Sequence, residues 1–312
     1  LIKLIKFNMM NLNSMLKISE VMNKTEYLHH QCPKVDHSTF NIHVLSCSHL
    51  DKSRFKTFDE YCIASEPNVD NRNCKEILNC VIKTLQGGVQ GKFMIVETAF
   101  LEGWWNENGM HTKWEVMKLI NEEQLVFESG WYVIHDEVVL SFFSIIDHMT
   151  LVLSFIYGFK HYARPSVGWQ IDISGDTRGM ASLFQQMRFK AIFMILISND
   201  SLNCLSNNDF LLFWDVRKYG VSILTIVMPD VYCSDSSYCI DDSCYKDFSD
   251  IESVAGGLMH YIKVKNLHYK FGHMIFVLEC DFKFQNVSKT FGFFDKILEN
   301  VNPNQHDFNT FC

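Results

Sequence analysis

The sequence contains little proline and glycine, no cluster of basic residues and no long apolar run. Its 312 residues include 5 prolines and 15 glycines, so it is poor in the residues from which flexible or extended linkers are built. Lysine and arginine together number 28 against 36 acidic residues, a net charge of −8, whereas nucleic-acid-binding domains usually carry a basic face. No apolar run reaches the roughly 18 residues required for a membrane-spanning helix. These absences argue against a nucleic-acid-binding protein and against a membrane span.

Apolar residues are plentiful. Hydrophobic residues make up 47% of the chain and charged residues 21%, a composition that can bury a sizeable core and does not fit a disordered protein. The length suits one large domain or two small ones, because domains usually contain about 100–200 residues. The 26 phenylalanines do not decide between functions, since large cores and carbohydrate sites both use aromatic rings. Trp104 and Trp105 are interpreted as core residues rather than as a platform for a sugar.

Apolar runs with strand character alternate with amphipathic runs of helical period. The predicted strands cover residues 40–46, 92–97, 124–128, 131–134, 167–173, 191–197 and 273–281. The predicted helices cover residues 73–86, 112–124, 138–159, 178–187 and 249–264. Asp136 and Glu137 precede the third helix and are interpreted as its cap. This alternation predicts an α/β fold with a mostly parallel sheet and crossover helices, and the continuous apolar strands indicate a sheet covered on both faces.

Polar side chains recur where the predicted strands end. His49 and Asp51 follow the first strand, Glu97 ends the second, and Asp172 and Asp281 close two later strands. In α/β barrels and open α/β sheets the functional site lies at that end of the strands. A His-x-Asp pair can bind a metal ion, and two carboxylates that flank a glycosidic bond can act as nucleophile and acid/base. The alternative role of the aspartates is to cap the following helix or turn, and the alternative role of Glu97 is hydrogen-bonding support.

The cysteines leave the compartment open. There are 11 of them, and an odd number guarantees at least one unpaired thiol within a monomer. Cys239 and Cys244 lie in a stretch rich in serine and aspartate and are candidates for a small loop-closing disulfide. A zinc ribbon is the alternative, but it needs a second paired motif with suitable spacing, which the sequence lacks. The tripeptides that begin at Asn23 and Asn286 are glycosylation candidates if the chain is secreted.

Ordered blocks of residues carry a resemblance to a known family. They include C-P-K-V at 32–35, S-H-L-D at 48–51, V-E-T-A-F at 96–100, F-E-S-G-W at 127–131, R-P-S-V-G-W-Q-I-D at 164–172 and C-D-F at 280–282. In this order the blocks resemble the amino-terminal catalytic domain of glycoside hydrolase family 38, the class II α-mannosidases, with the lysosomal branch closest. The resemblance extends from Cys32 to about Asn300.

The resemblance implies a fold and a domain organisation. We expect a (β/α)-barrel-like domain with a mostly parallel sheet, of the seven-stranded type of family 38. Residues 32–312 form the catalytic-type domain in this interpretation, and residues 1–31 form an amino-terminal extension. The chain begins at Leu1 rather than at Met, and the segment 1–16 is a poor signal peptide. We therefore expect a partial or processed chain, truncated before the downstream helical and β domains of the family.

The resemblance also implies a chemistry, namely a retaining α-mannosidase with one Zn²⁺ ion. His49, Asp51 and Asp172 match the zinc ligands of the family. Asp172 also matches the nucleophile, Asp281 matches the general acid/base, and Tyr232 matches an active-site tyrosine that contacts substrate. The implied partner is a mannose-containing oligosaccharide, and the implied location is lysosomal or secreted.

Two disulfides follow from the same resemblance. The family has a loop disulfide with C-x4-C spacing, which matches Cys239 and Cys244. In the family, the cysteine corresponding to Cys32 pairs with a cysteine just past the last barrel block, and Cys312 is the candidate partner here.

The sequence departs from the family mostly within the implied site. Arg54 occupies the substrate-facing position where the family has a stacking tryptophan, Ser174 lies where an aromatic wall is expected, and Leu196 replaces an arginine. The fourth zinc ligand of the family, a histidine, falls beyond the length of this chain. The implied catalytic acids are present, but the aromatic residues that would line the sugar site are replaced. This combination favours either a weakened or re-specified mannosidase, or a catalytically inactive remnant that binds glycan or a protein partner.

Overall fold

The structure of the chain is a computed structural model. It describes residues 2–6, 40–50, 57–63, 73–88, 91–134, 136, 140–159, 165–171, 177–195, 210–216, 221–228, 251–266, 273–278, 280, 282, 284 and 286–301, and the statements below concern these residues.

Strands and helices alternate along most of the described chain. The strands are β1 (Ile2–Lys6), β2 (Phe40–Ser46), β3 (Phe93–Glu97), β4 (Leu125–Trp131), β5 (Val167–Gln170), β6 (Ala191–Ile195), β7 (Leu211–Val216), β8 (Val221–Met228) and β9 (His273–Leu278). The helices are α1 (Phe58–Ile63), α2 (Cys74–Gln86), α3 (Thr98–Glu107), α4 (Met110–Asn121), α5 (Phe142–Ile156), α6 (Arg178–Gln186), α7 (Ile251–Asn266) and α8 (Val287–Val301). None of these helices is long and apolar enough to cross a membrane.

The strands pair in parallel except at β7. Three sheets have the orders β1-β2-β9, β3-β4 and β5-β6-β8-β7, and only β7 runs antiparallel to its neighbour. A parallel bridge between Cys47 and Met94 connects β2 to β3. The Ser129 hydroxyl connects β4 to β5 through hydrogen bonds with the backbone of Trp169. Strand β1 lies parallel beside β2, and the other seven parallel strands follow one another as β9-β2-β3-β4-β5-β6-β8. This confirms the predicted α/β class with a mostly parallel sheet.

Both faces of the sheet are covered, as the continuous apolar strands predicted. The inner face is lined by side chains from the strands and the residues that follow them: Leu45, Cys47, Met94, Val96, Val167, Trp169, Ile171, Ala191, Phe193, Leu224, Ile226, Met228 and Ile275. The alternate strand residues, such as Ile42, Phe127 and Phe276, face the other way and pack among the helices in a larger cluster. Residues that alternate along a strand point to opposite faces, so one face belongs to the strands and the other to the helix layer.

The first predicted strand, 124–128, continues through a bulge to Trp131 as β4, whereas residues 132–134 of the second predicted strand are not in a strand. The pairing of β4 with β3 jumps from Ile95 opposite Phe127 to Glu97 opposite Trp131. Ser129 and Gly130, at φ 62° and 64°, are both left-handed, a conformation that costs a non-glycine residue about 1 kcal/mol or more. The prediction failed because Ser-Gly was interpreted as a break, whereas the backbone bonds of the Ser129 hydroxyl hold the bulge within the sheet.

The helices begin at side chains that cap them, and one predicted cap is wrong. The Asn73 carboxamide oxygen accepts hydrogen bonds from the backbone N–H groups of Lys75 and Glu76 at 3.0 and 3.2 Å, which stabilises the start of α2. At α5 the cap is Ser141, whose hydroxyl accepts from the Ser144 N–H at 3.2 Å. Asp136 is not the cap, because the helix begins only at Phe142.

Trp104 is a core residue and Trp105 packs half-buried against the same core, as predicted. Trp104 is buried, and its indole N–H donates to the Asn79 side chain at 2.8 Å. Trp105 meets the Phe159 ring edge-on with ring centres 4.9 Å apart. Both lie on α3, which sequence patterns alone did not indicate, since its apolar residues follow β3 without an intervening polar turn.

Candidate active site at the carboxyl ends of the strands

His49 is the predicted site residue whose position the structure describes. The other predicted site and disulfide residues lie outside the described residues: Cys32, Asp51, Arg54, Asp172, Tyr232, Cys239, Cys244, Asp281 and Cys312. Their roles therefore stay predictions. The described residues beside several of them nevertheless show which chain segments come together.

The segment that carries His49 runs directly beside the segment that carries position 281. The His49 backbone N–H donates to the Cys280 carbonyl at 3.4 Å, and the Phe282 N–H donates to the His49 carbonyl at 2.9 Å. These bonds extend the parallel pairing of β2 with β9, in which Ser46 lies opposite Leu278. Two strand-end segments that are more than 200 positions apart in sequence thus meet at one edge of the sheet, as the convergence argument predicted.

Other strand ends reach the same region through the inner apolar cluster. Ile171, which follows β5, and Met228, at the end of β8, are buried in one cluster with Cys47 of the β2 segment. Ile171 immediately precedes position 172, and Met228 lies four residues before position 232. The carboxyl ends of β2, β5 and β8 therefore border a common interior.

A buried pair joins the ends of β2 and β3. His49 Nδ1 lies 2.9 Å from Glu97 Oε1, and the two side chains are only 3% and 2% exposed. The two atoms are close, but their geometry is not that of an aligned hydrogen bond. Within the described chain Glu97 has no other side-chain partner. The pair places a histidine and a carboxylate, both sheltered from water, at the edge where functional sites form in this class of fold.

A second buried carboxyl, Glu128, was not singled out from the sequence. It lies on β4 one residue beyond Phe127, which faces the helices, so strand alternation turns it towards the inner face with Val126. Burial raises the pKa of Glu128 from 4.5 to about 8, although a hydrogen bond with the Val167 backbone opposes the shift. Its Oε2 atom has no hydrogen-bond partner among the described residues. The signal available in the sequence was an acid inside an apolar run, which was interpreted as the end of a strand.

The sequence of residues 39–311 matches the model of a protein family described as the glycosyl hydrolases family 38 N-terminal domain. The chain belongs to glycosyl hydrolase family 38. The match covers most of the chain, including every described strand from β2 to β9. It confirms the resemblance carried by the ordered sequence blocks.

Relatives of this family 38 domain include lysosomal alpha-mannosidases. The chain is 29% identical over 289 residues to the lysosomal alpha-mannosidase of Felis catus and 29% identical over 290 residues to that of Homo sapiens. Each alignment covers 88% of this chain and 29% of the relative, so the chain spans under a third of the length of these relatives. The chain is therefore alpha-mannosidase-like over the N-terminal domain of the family.

A solved structure shows the same fold. The crystal structure of an alpha-mannosidase from Enterococcus faecalis superposes with a TM-score of 0.62 at 14% identity. The superposition covers 86% of this chain and 30% of that chain. At this identity the likeness concerns the fold alone, and it supports the parallel strand order of the family 38 domain.

The described residues of the family 38 domain do not by themselves complete a metal site. Among them, no three His, Cys, Asp or Glu side chains lie close enough together to hold one ion. Of the predicted ligand set, only His49 is described. The zinc site thus stays a prediction, for which the environment of His49 is the available test.

One cysteine beside the candidate site forms a disulfide bond. Cys280 is disulfide-bonded, whereas Cys47, Cys74 and Cys80 form no disulfide. Its partner therefore lies outside the described cysteines. The sequence analysis had not assigned Cys280 to a disulfide.

Proposed function

We propose that this family 38 domain is the catalytic-type domain of a retaining α-mannosidase that removes terminal α-mannosyl residues from N-glycan-type oligosaccharides. The observation that carries the proposal is the backbone pairing of His49 with Cys280 and Phe282. This pairing brings a predicted metal-binding segment against the segment that bears the predicted acid/base. The metal-binding and acid/base groups of such a glycosidase must meet at one sugar, and the pairing supports this edge of the sheet as that place.

The finer fold proposal is a seven-stranded barrel. Its support is the strand succession β9-β2-β3-β4-β5-β6-β8, seven parallel strands that contribute side chains to one apolar cluster, with β1 as an additional parallel strand beside β2. Residues 32–312 would form this domain and residues 1–31 an extension before it.

His49 fits the role of a zinc ligand. A metal-binding histidine commonly gives its other ring N–H to a carboxylate, which fixes the ring and raises the basicity of the ligating nitrogen. The 2.9 Å contact of Nδ1 with the buried Glu97 places a carboxylate beside that nitrogen, which supports this role although the hydrogen bond is not aligned. With Asp51 and Asp172, His49 would offer one nitrogen and two carboxylates, donors that zinc accepts. When bound, zinc would hold the sugar hydroxyls and offset charge at the transition state.

The two aspartates would carry out the chemical steps, Asp172 as nucleophile and Asp281 as general acid/base. Asp172 would attack the anomeric carbon and form a glycosyl-enzyme, while Asp281 donates a proton to the leaving oxygen. Asp281, now ionised, would take a proton from the water that releases mannose with retained configuration. Retention requires the two carboxyl groups to lie about 5–5.5 Å apart. Tyr232 and Arg54 would contact the substrate.

Two further features belong to the proposal. The relatives are named lysosomal alpha-mannosidases, which supports a lysosomal or secreted location for this chain. Such a compartment permits disulfides, and we propose Cys239–Cys244 as one bond and Cys32–Cys312 as another.

The alternative is a catalytically inactive family member that binds glycan or a protein partner. Arg54, Ser174 and Leu196 favour it, because they remove an aromatic platform, a second wall and a guanidinium from the implied sugar site. Burial of an aromatic ring is worth about 1.5–3 kcal/mol, so substrate binding would weaken markedly.

Hydrolysis of an aryl α-mannoside separates the two candidates. The full chain is assayed with added zinc between pH 4 and 7, with Asp172→Asn as the matched control. The mannosidase proposal predicts a zinc-dependent rate that Asp172→Asn abolishes. A wild-type rate equal to that of Asp172→Asn would contradict the mannosidase proposal and favour the inactive alternative that binds glycan or a protein partner.

A further inference from the structure

Glu97 has a role that capping and packing do not explain. It is the residue immediately before α3, where an acidic side chain often caps the helix, yet its carboxylate makes no bond to the helix N–H groups. It is also buried, and a carboxylate removed from water costs several kcal/mol unless it is paired. In the described chain its one side-chain partner is His49 Nδ1, at 2.9 Å.

Both members of the pair are held by rigid backbone. On the Glu97 side, the Thr98 hydroxyl donates to the Trp131 carbonyl at 2.9 Å and the Ala99 N–H donates to the Tyr132 carbonyl at 3.0 Å. On the His49 side, the backbone bonds with Cys280 and Phe282 fix the segment against the end of β9. The contact therefore joins the ends of two strands whose positions are set independently of it.

A carboxylate beside one imidazole nitrogen selects a tautomer. It favours the proton on Nδ1, and Nε2 then carries the lone pair that can bind a metal. We propose that Glu97 is a positioning residue that fixes the Nδ1-protonated tautomer and the ring orientation of His49, so that Nε2 is its metal-binding nitrogen. The metal part of this inference rests on the proposed function, whereas the tautomer part does not.

Two substitutions of Glu97 separate its charge from its ability to accept a hydrogen bond. Glu97→Gln keeps an acceptor oxygen in the same shape, and Glu97→Leu removes it. Glu128→Leu is the matched control, because it also removes a buried carboxyl from a strand but one without a histidine partner. All variants are made in the full chain, and circular dichroism confirms that they fold.

The first readout is the tautomer of His49 in metal-free protein, measured by nitrogen NMR of histidine-labelled samples and assigned with His49→Gln. We expect a single Nδ1-protonated form in wild type and in Glu128→Leu, and a mixture in Glu97→Leu. An unchanged tautomer in Glu97→Leu overturns the inference whatever zinc does. If Glu97→Leu does not fold, Glu97→Gln takes its place, and the inference then requires a measurable shift towards the Nε2-protonated form.

The second readout is the dissociation constant of zinc, measured by competition with a chromogenic chelator. Loss of a carboxylate beside a ligating histidine typically weakens metal binding 10–100-fold, which we expect for Glu97→Leu, with a smaller loss for Glu97→Gln and none for Glu128→Leu. Equal affinity in wild type and Glu97→Leu overturns the metal part of the inference alone. Absence of zinc binding in wild type, with the tautomer change still present, overturns the proposed zinc site and leaves the tautomer role of Glu97 standing.

Discussion

Two buried glutamates on neighbouring strands differ in their partners. Glu97 and Glu128 are 3% and 2% exposed. Glu97 is the last residue of β3, whereas Glu128 lies in the middle of β4. Glu97 contacts the imidazole of His49 at 2.9 Å without an aligned hydrogen bond. Glu128 has a hydrogen bond with the Val167 backbone, and its Oε2 has no hydrogen-bond partner among the described residues. Burial raises the pKa of Glu128 to about 8, so it is neutral in acid. The two glutamates are thus equally buried, but Glu97 contacts a histidine of the candidate site, whereas Glu128 is a protonated carboxyl in an apolar interior.

Removal of the histidine should have the largest effect on stability. His49→Leu leaves the Glu97 carboxyl buried without its partner, and breaking a buried pair in this way typically costs about 3–5 kcal/mol. We expect a loss of this order in the free energy of unfolding, measured in urea. The double variant His49→Leu/Glu97→Leu should recover most of it. Additive losses in the double variant would show that the two side chains do not act as a pair.

The Glu128 carboxyl should make the fold less stable as the pH rises. Its pKa is about 8 when folded and 4.5 ordinarily, so the folded state binds the proton more tightly. The stabilisation is complete below pH 4.5, declines above it and is lost as the pH rises through about 8. One pKa unit corresponds to about 1.4 kcal/mol, so the loss amounts to a few kcal/mol.

Glu128→Gln tests this directly, because an amide has the same shape and does not ionise. We expect the free energy of unfolding of wild type to fall between pH 5 and pH 8.5 by a few kcal/mol more than that of Glu128→Gln. Parallel pH profiles for the two proteins would contradict the assignment of a neutral Glu128.

Loss of the Ser129 hydroxyl should have a smaller effect. Its two hydrogen bonds with the Trp169 backbone hold the bulge that follows Glu128 and join β4 to β5. Ser129→Ala leaves buried backbone groups without this partner, at a cost of about 1–3 kcal/mol. Thermal unfolding measures the loss, with Ser141→Ala, a helix cap on the surface, as a comparison at about 1 kcal/mol. No change in Ser129→Ala would mean that other contacts hold the bulge.

An exposed ion pair should contribute least. Lys75 Nζ lies 2.6 Å from Glu107 Oε2, with both side chains about two-fifths exposed. Pairs at the surface are screened by water and contribute less than about 1 kcal/mol. Lys75→Ala should therefore change the free energy of unfolding far less than His49→Leu does. If Lys75→Ala lowered the free energy of unfolding as much as His49→Leu does, burial would not explain the strength of the His49–Glu97 pair.

The sequence predicted the parts of the fold that depend on local pattern. The strand 40–46 was predicted with its observed bounds, and the stripe of Ile77, Val81 and Leu85 lies in the core on α2. The hairpin of β7 and β8 was not predicted, because alternation of strands and helices does not anticipate an antiparallel edge strand.

The site was predictable in outline and not in detail. Position at the end of a strand was enough to expect His49 and the segment around position 281 at one edge. The contact of His49 with Glu97 and the burial of Glu128 beside Val167 depend on how β2, β3 and β4 pair, including the bulge at Ser129. Side-chain period does not encode the register of β3 with β4 once two extra residues enter one strand.

The zinc content of the purified chain tests the central claim most directly. The account predicts one zinc per wild-type chain by mass spectrometry of the metal after exposure to zinc and removal of excess, with little or none in His49→Leu. Equal metal content in wild type and His49→Leu, or none in either, would contradict a zinc site built on His49.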